Sequence, residues 1–218
     1  EFKRVQRDLL LAEKTKCRVH IAHVSCAESI EMIAKAKKKG IKVTAETAPH
    51  YFSLTEASVL DYDTNMKMNP PLRSSKDRDA VRQALVKGVI DAIASDHAPH
   101  TISEKEIEFD RAEFGVIGLE TELAVSATYL VHTGLLSWSG LCAKLSLNPA
   151  KILGIEKGTL SPGKDADIVI VDPEAEWEVE AKNFVSKSKN SCFTGCKLKG
   201  KVTHTISRGV LAYTWEKA

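Results

Sequence analysis

The segment SDHAPH places Asp96, His97 and His100 directly after the apolar run 89–94. A carboxylate at the end of a buried strand is costly unless a cation or hydrogen-bond donors stand beside it. A helix cap is the plain structural role for such a residue, but no apolar-periodic helix follows directly. A metal-bound carboxylate is therefore the favoured role for Asp96. His100 lies beyond Pro99 in the same turn, where contact with a substrate is more economical than a solvated loop position.

Other strand ends carry similar side chains. CRVHIAHVS (17–25) closes with His23, which shares strand parity with Val19 and Ile21 and suits either a metal or a structural hydrogen bond. His20 has the opposite parity and is expected to be structural, facing the packing helices. His50, in APHY, suits a supporting role at a site or a locked turn equally well. Asn69, in KMNPPLR, precedes two prolines that hold its amide at low entropic cost, a good arrangement for a planar polar substrate. FGVIGLET (114–121) has two glycines that would let backbone amides approach a ligand closely.

The elements that must position these residues follow a strand-then-helix rhythm. Strands are predicted at 17–25, 41–50 and 89–95, and helices at 27–40 and 75–88, each helix closed by glycine. A polar loop at 101–117 leads into helical segments at 119–134 and 137–146. Strands separated by helices imply a parallel sheet with helical crossovers, whose functional groups gather beyond the strands' C-terminal ends. From about residue 158 the pattern becomes β-rich with tight Gly/Pro turns, which predicts a smaller all-β unit. The expected division is 1–157 and 158–218.

The chain has 218 residues and a net charge of +2, so its total charge points to neither nucleic acid nor an acidic membrane. No apolar run approaches the ~18 residues of a membrane span. Five cysteines lack the spacing of a disulfide framework, which predicts reduced thiols. The Cys192–Cys196 pair is one pair where a structural zinc site takes two. The lysine clusters at 35–39 and 187–201 are expected to be solvated faces.

HIAHVS, VTAETAPHY, KMNPPLR, SDHAPHT, FGVIGLET and GTLSPGKDADIVIVD together resemble successive blocks of the bacterial-type dihydroorotase family, within the amidohydrolase superfamily. The resemblance implies the C-terminal part of a (β/α)8 barrel, from its sixth strand to its eighth, with a small β-sandwich beside it. It implies zinc, as one or two ions, and reversible conversion of L-dihydroorotate to N-carbamoyl-L-aspartate in pyrimidine synthesis, in the cytoplasm. His23 then corresponds to a metal ligand. Asp96 corresponds to a ligand that also moves the proton, while Asn69, His100 and the backbone at Phe114 and Gly115 correspond to substrate-binding positions.

The family's metal site opens with His-x-His, and the seven histidines here, at 20, 23, 50, 97, 100, 132 and 204, contain no such pair. The chain thus resembles a C-terminal half, expected to be inactive alone, to bind zinc weakly if at all, and to pair with its N-terminal piece or another copy. NSCFTGC also departs from the family, which usually has a proline before the phenylalanine and no second cysteine. Two alternatives stand beside this reading. One is a hydantoinase- or allantoinase-like cyclic amidase. The other is a non-catalytic scaffold subunit for a partner such as aspartate transcarbamoylase.

Overall fold

The structure, a computed structural model, describes residues 1–215. Helix α1 (Phe2–Thr15) buries Val5, Leu9 and Ala12 along one stripe, as helical spacing requires. Strand β1 (Val19–Ile21) leads to α2 (Ala27–Lys38), which buries Ser29, Ile33 and Ala36. Glu28 in its first turn and Lys35, Lys37 and Lys38 in its last both suit the helix dipole. Strand β2 (Val43–Thr47) runs straight into the short helix α3 (Pro49–Ser53), and α4 (Ser75–Val86) leads to β3 (Ala92–Ile93).

The three strands form one parallel sheet in the order β1-β2-β3, with Val19 opposite Val43 and Glu46 opposite Ala92. This is the α/β arrangement expected from the strand–helix rhythm. The strands are shorter than the apolar runs that announced them, because each run's polar end leaves the ladder to form the loops of the site. Val24, Ile33, Phe52, Val81, Leu85 and Ile90 are fully buried and fill the space between sheet and helices.

After α5 (Ile102–Lys105) and a loop, α6 (Glu122–Ser126) continues into a π-helical turn, Ala127–Val131. Helix α7 (Trp138–Cys142) ends likewise in a π turn, Ala143–Leu147, before α8 (Asn148–Leu153). These wide turns are not signalled by the apolar spacing.

Strands β4 (Ile168–Glu178), β5 (Lys197–Ser207) and β6 (Val210–Thr214) make a second, antiparallel sheet. Its ladder shifts register between Ile170 and Val171, between Asp172 and Glu176, where Pro173 has no N–H to donate, and between Thr205 and Ile206. Among the described residues it is a single sheet backed by helix. The Lys199 N–H donates to Thr128 Oγ1 at 2.8 Å, and a Cβ on Gly200 would stand 3.1 Å from that of Ala127. The connection from β4 to β5 is a long strap, 179–196, that returns to the first sheet and buries Cys192 and Phe193 in the common core. Among the described residues no helix is long and apolar enough to cross a membrane.

Candidate active site

Three neighbouring strands end at one place. His23 lies two residues past β1, His50 in the first turn of α3 just past β2, and Asp96 three residues past β3. Asp96 Oδ1 is 3.5 Å from His23 Nε2, and Asp96 Oδ2 is 3.8 Å from His50 Nε2. The backbones of both His23 (φ 55°) and Asp96 (φ 49°) are left-handed. That region costs a non-glycine residue about 1–2 kcal/mol, and such strain gathers where side chains must be aimed.

Glu46, which precedes the end of β2, is buried and was not singled out by its position in an alternating strand. Its Oε1 accepts the backbone N–H of His23 at 2.7 Å and lies 3.0 Å from His23 Nδ1, without the alignment of a regular hydrogen bond to the ring. A carboxylate behind a histidine directs the opposite nitrogen outward, here towards Asp96. Glu46 raises the His23 pKa above its usual value, against the opposing effect of burial, with help from the Asp96 charge. Burial raises the Asp96 pKa, His23 opposes this, and Glu46 adds to it. Burial, and then the charge on His23, push His50 down to about 3, so its ring is neutral. Its buried Nε2 has no hydrogen-bond partner.

Beside this cluster the loop after β3 is zipped to the FGVIG loop. His100 Nε2 lies 2.9 Å from the Phe114 carbonyl, and the Ala98 N–H donates to Val116 O at 2.8 Å. The Gly118 N–H donates to His97 Nδ1 at 3.1 Å, which places that ring's proton on Nε2. Gly115 adopts φ 102°, and a Cβ there would stand 2.7 Å from that of Ala98, so the two loops can meet only with glycine at this point. His100, Phe114 and Gly115 are thus brought together.

Asn69 instead lines a cavity of about 590 Å³ with Glu1, Arg4, His20 and Arg73. Its loop is tied to α3 by Tyr51, whose hydroxyl donates to Pro70 O at 2.8 Å. His20 is exposed on this cavity, with Nδ1 2.8 Å from Thr44 Oγ1, and is not packed beneath the helices as its parity suggested. The reason is that His20 and Thr44 share the sheet face opposite Ile21 and Ala45, the pair buried in the core, and the face of His20 opens on the cavity.

The amidohydrolase family pattern matches residues 4–212. The chain belongs to the amidohydrolase family. It is 54% identical over 209 residues to a dihydroorotase of Syntrophus aciditrophicus, covering 96% of this chain and 49% of that protein. It is 55% identical over 207 residues to a dihydroorotase of Geobacter metallireducens, covering 95% and 49%. Among solved structures, the L-hydantoinase (dihydropyrimidinase) of Arthrobacter aurescens superposes with a TM-score of 0.94 at 34% identity, over 98% of this chain and 48% of that one. The dihydropyrimidinase of Brevibacillus agri gives 0.92 at 26% identity, over 98% and 48%. The chain spans about half the length of these relatives.

Membership of the amidohydrolase family implies a divalent metal, and the cluster suits one in part. His23 Nε2 and Asp96 Oδ1 face each other without a hydrogen bond, and an imidazole with a carboxylate is a donor set that divalent transition metals take. Among the described residues no group of three or more His, Cys, Asp or Glu converges as a complete ligand set. His23 and Asp96 would therefore hold the metal from one side. Cys192 and Cys196 are both free thiols.

Proposed function

We propose that this chain supplies part of the active site of a dihydroorotase, which reversibly hydrolyses the cyclic amide of L-dihydroorotate to N-carbamoyl-L-aspartate. The observation that carries the reading is the meeting of His23, His50 and Asp96 at adjacent strand ends, beside the paired His100 and Phe114–Gly115 loops. Identity of 54–55% with dihydroorotases, against 34% with the L-hydantoinase, favours this cyclic amide over a hydantoin. Cytoplasmic pyrimidine synthesis is the setting that goes with that activity.

A cyclic amide is a poor electrophile and neutral water a poor nucleophile. His23 and Asp96, together with further ligands, would hold zinc, which would supply polarisation of the carbonyl and a lowering of the pKa of bound water to about 7. Asp96 accepts the proton of the attacking water and delivers it to the leaving ring nitrogen, and cyclisation runs the same transfers in reverse. Glu46 keeps the His23 ring turned towards Asp96. His100 would help hold the substrate carboxylate, while the backbone at Phe114 and Gly115 and, from the neighbouring cavity, Asn69 are assigned to substrate binding by the family resemblance. In this reading 1–157 completes as a (β/α)8 barrel and 158–218 as a small β-sandwich.

The test is ring opening of L-dihydroorotate by this chain, alone and within a polypeptide that restores the full length of its dihydroorotase relatives. The expected result is no turnover alone and zinc-dependent turnover at full length. Turnover of hydantoin in preference to dihydroorotate by the full-length polypeptide would overturn the assignment.

A further inference from the structure

Asn190 belongs to the strap between the two sheets, 90 residues beyond His100 in the chain, yet its buried side chain holds the two loops of the site together. Oδ1 accepts the His100 N–H at 3.3 Å. Nδ2 donates to Ala98 O at 3.0 Å and to Gly115 O at 3.3 Å. The main-chain oxygen of Asn190 accepts the Ile117 N–H at 2.9 Å. Both amide hydrogens and the side-chain oxygen are therefore used, and reversing the amide would set its oxygen against two carbonyls.

These bonds fall on the residues expected to grip the substrate. One goes to the amide of His100 itself and another to the carbonyl of Gly115 itself. The outer part of the second loop is anchored separately. Lys67 Nζ donates to Asp110 O and Ala112 O at 2.9 and 2.6 Å, and Lys105 Nζ donates to Glu113 O at 2.8 Å. Lys105 also reaches Gly115 O at 3.2 Å. With that flank fixed, the side-chain amide of Asn190 governs how far His100 stands from the Phe114–Gly115 backbone. No comparable link runs from Asn190 to Asp96, so the proton-transfer group is spared.

We propose that Asn190 is a positioning residue for substrate affinity: it sets the spacing between His100 and the Phe114–Gly115 backbone without touching the substrate. This deepens the dihydroorotase reading and rests on it. An aspartate at this position would keep the acceptor for the His100 N–H but place a carboxylate oxygen against the Ala98 and Gly115 carbonyls. Alanine would leave the His100 N–H and the Ala98 carbonyl without a partner and Gly115 O with Lys105 alone.

The test compares wild type, Asn190→Ala, Asn190→Asp, His100→Ala and the Asn190→Ala/His100→Ala double variant in a polypeptide that carries this chain at the full length of its relatives. Each Asn190 variant is expected to raise KM for L-dihydroorotate about tenfold, with kcat within about threefold of wild type and zinc content unchanged. In the His100→Ala background the Asn190 substitution should add little, with KM within about twofold of the single variant. Additive effects, or a fall in kcat with KM unchanged, would overturn the proposal. Amide exchange at His100 in this chain gives a readout independent of activity, and Asn190→Ala should accelerate it. Accelerated exchange with a wild-type enzyme inert towards dihydroorotate would overturn the dihydroorotase reading while upholding the link between loops. Unchanged exchange would overturn the link itself.

Discussion

His23 Nε2 and Asp96 Oδ1 face each other at 3.5 Å, and both residues hold that relationship from left-handed backbone. Neither is glycine, and neither left-handed position is required to close a helix. If these side chains serve the proposed site, the backbone is bent to present a donor, and stability and function would pull in opposite directions at these two positions.

Asp96→Gly relieves one of the two distortions and removes a desolvated carboxylate. Allowing for the greater unfolded-state freedom of glycine, the variant should be more stable by roughly 0.5–1 kcal/mol in urea denaturation, while losing the proposed metal donor. An unchanged or lower midpoint would show that the left-handed backbone at Asp96 carries no strain.

Glu46→Leu removes the acceptor of the His23 N–H. The His23 amide should then exchange about tenfold faster in the metal-free chain, with core amides such as that of Ile33 unaffected. Equal exchange in both proteins would mean that the 2.7 Å bond does not hold the loop after β1.

Asp77 caps α2 and braces Ser74, the cap of α4. Its Oδ1 accepts the Ala27 N–H at the start of α2 at 3.0 Å, and its Oδ2 accepts the Ser74 hydroxyl at the start of α4 at 2.6 Å. Burial pushes its pKa up, but the hydrogen bonds from Ser74 and Ala27 outweigh that and hold it below the ordinary carboxylate value. A depressed folded pKa stabilises the fold above the unfolded value, and that contribution is lost as pH falls through the folded one. Asp77→Asn should cost about 1 kcal/mol at neutral pH. The gap should close in acid below about pH 4, as measured by denaturation across pH. A gap independent of pH would place the effect elsewhere.

With two converging donors, the chain alone should bind zinc weakly, since catalytic zinc sites take three ligands from protein. Isothermal titration should show no tight stoichiometric uptake, and the weak uptake present should fall further in His23→Ala. Tight binding that survives His23→Ala would locate the metal at other residues.

That Asp96 and His23 meet was legible because each ends an apolar run in the strand–helix rhythm, and the C-terminal ends of parallel strands gather in one place. His100 was legible from its place across Pro99 in the same turn. His50 was harder to place, because Pro49 turns the chain into α3 and the histidine enters the site from a helix, not from a strand end. Glu46 escaped notice since period-two alternation marks Thr44 and Glu46 alike as outward and polar. In the fold, the inner face of β2 takes a carboxylate because a histidine N–H is there to meet it. Asn190 carries no local signal, as its partners come from segments far away in sequence. The strand–helix order survived intact, because burial periodicity encodes it within each segment, whereas the π turns after α6 and α7 depend on contacts between segments.

Strand β6 lies at the margin of its sheet with Val210, Leu211 and Tyr213 all exposed. An apolar margin of this kind is a template on which another chain can add, and the register shift between Thr205 and Ile206 curls the neighbouring strand and limits the flat length on offer. Association between chains at this margin would take place far from the chemistry. A lysine in place of Leu211 would raise the concentration the protein tolerates before it precipitates, and would leave the geometry around Asp96 untouched.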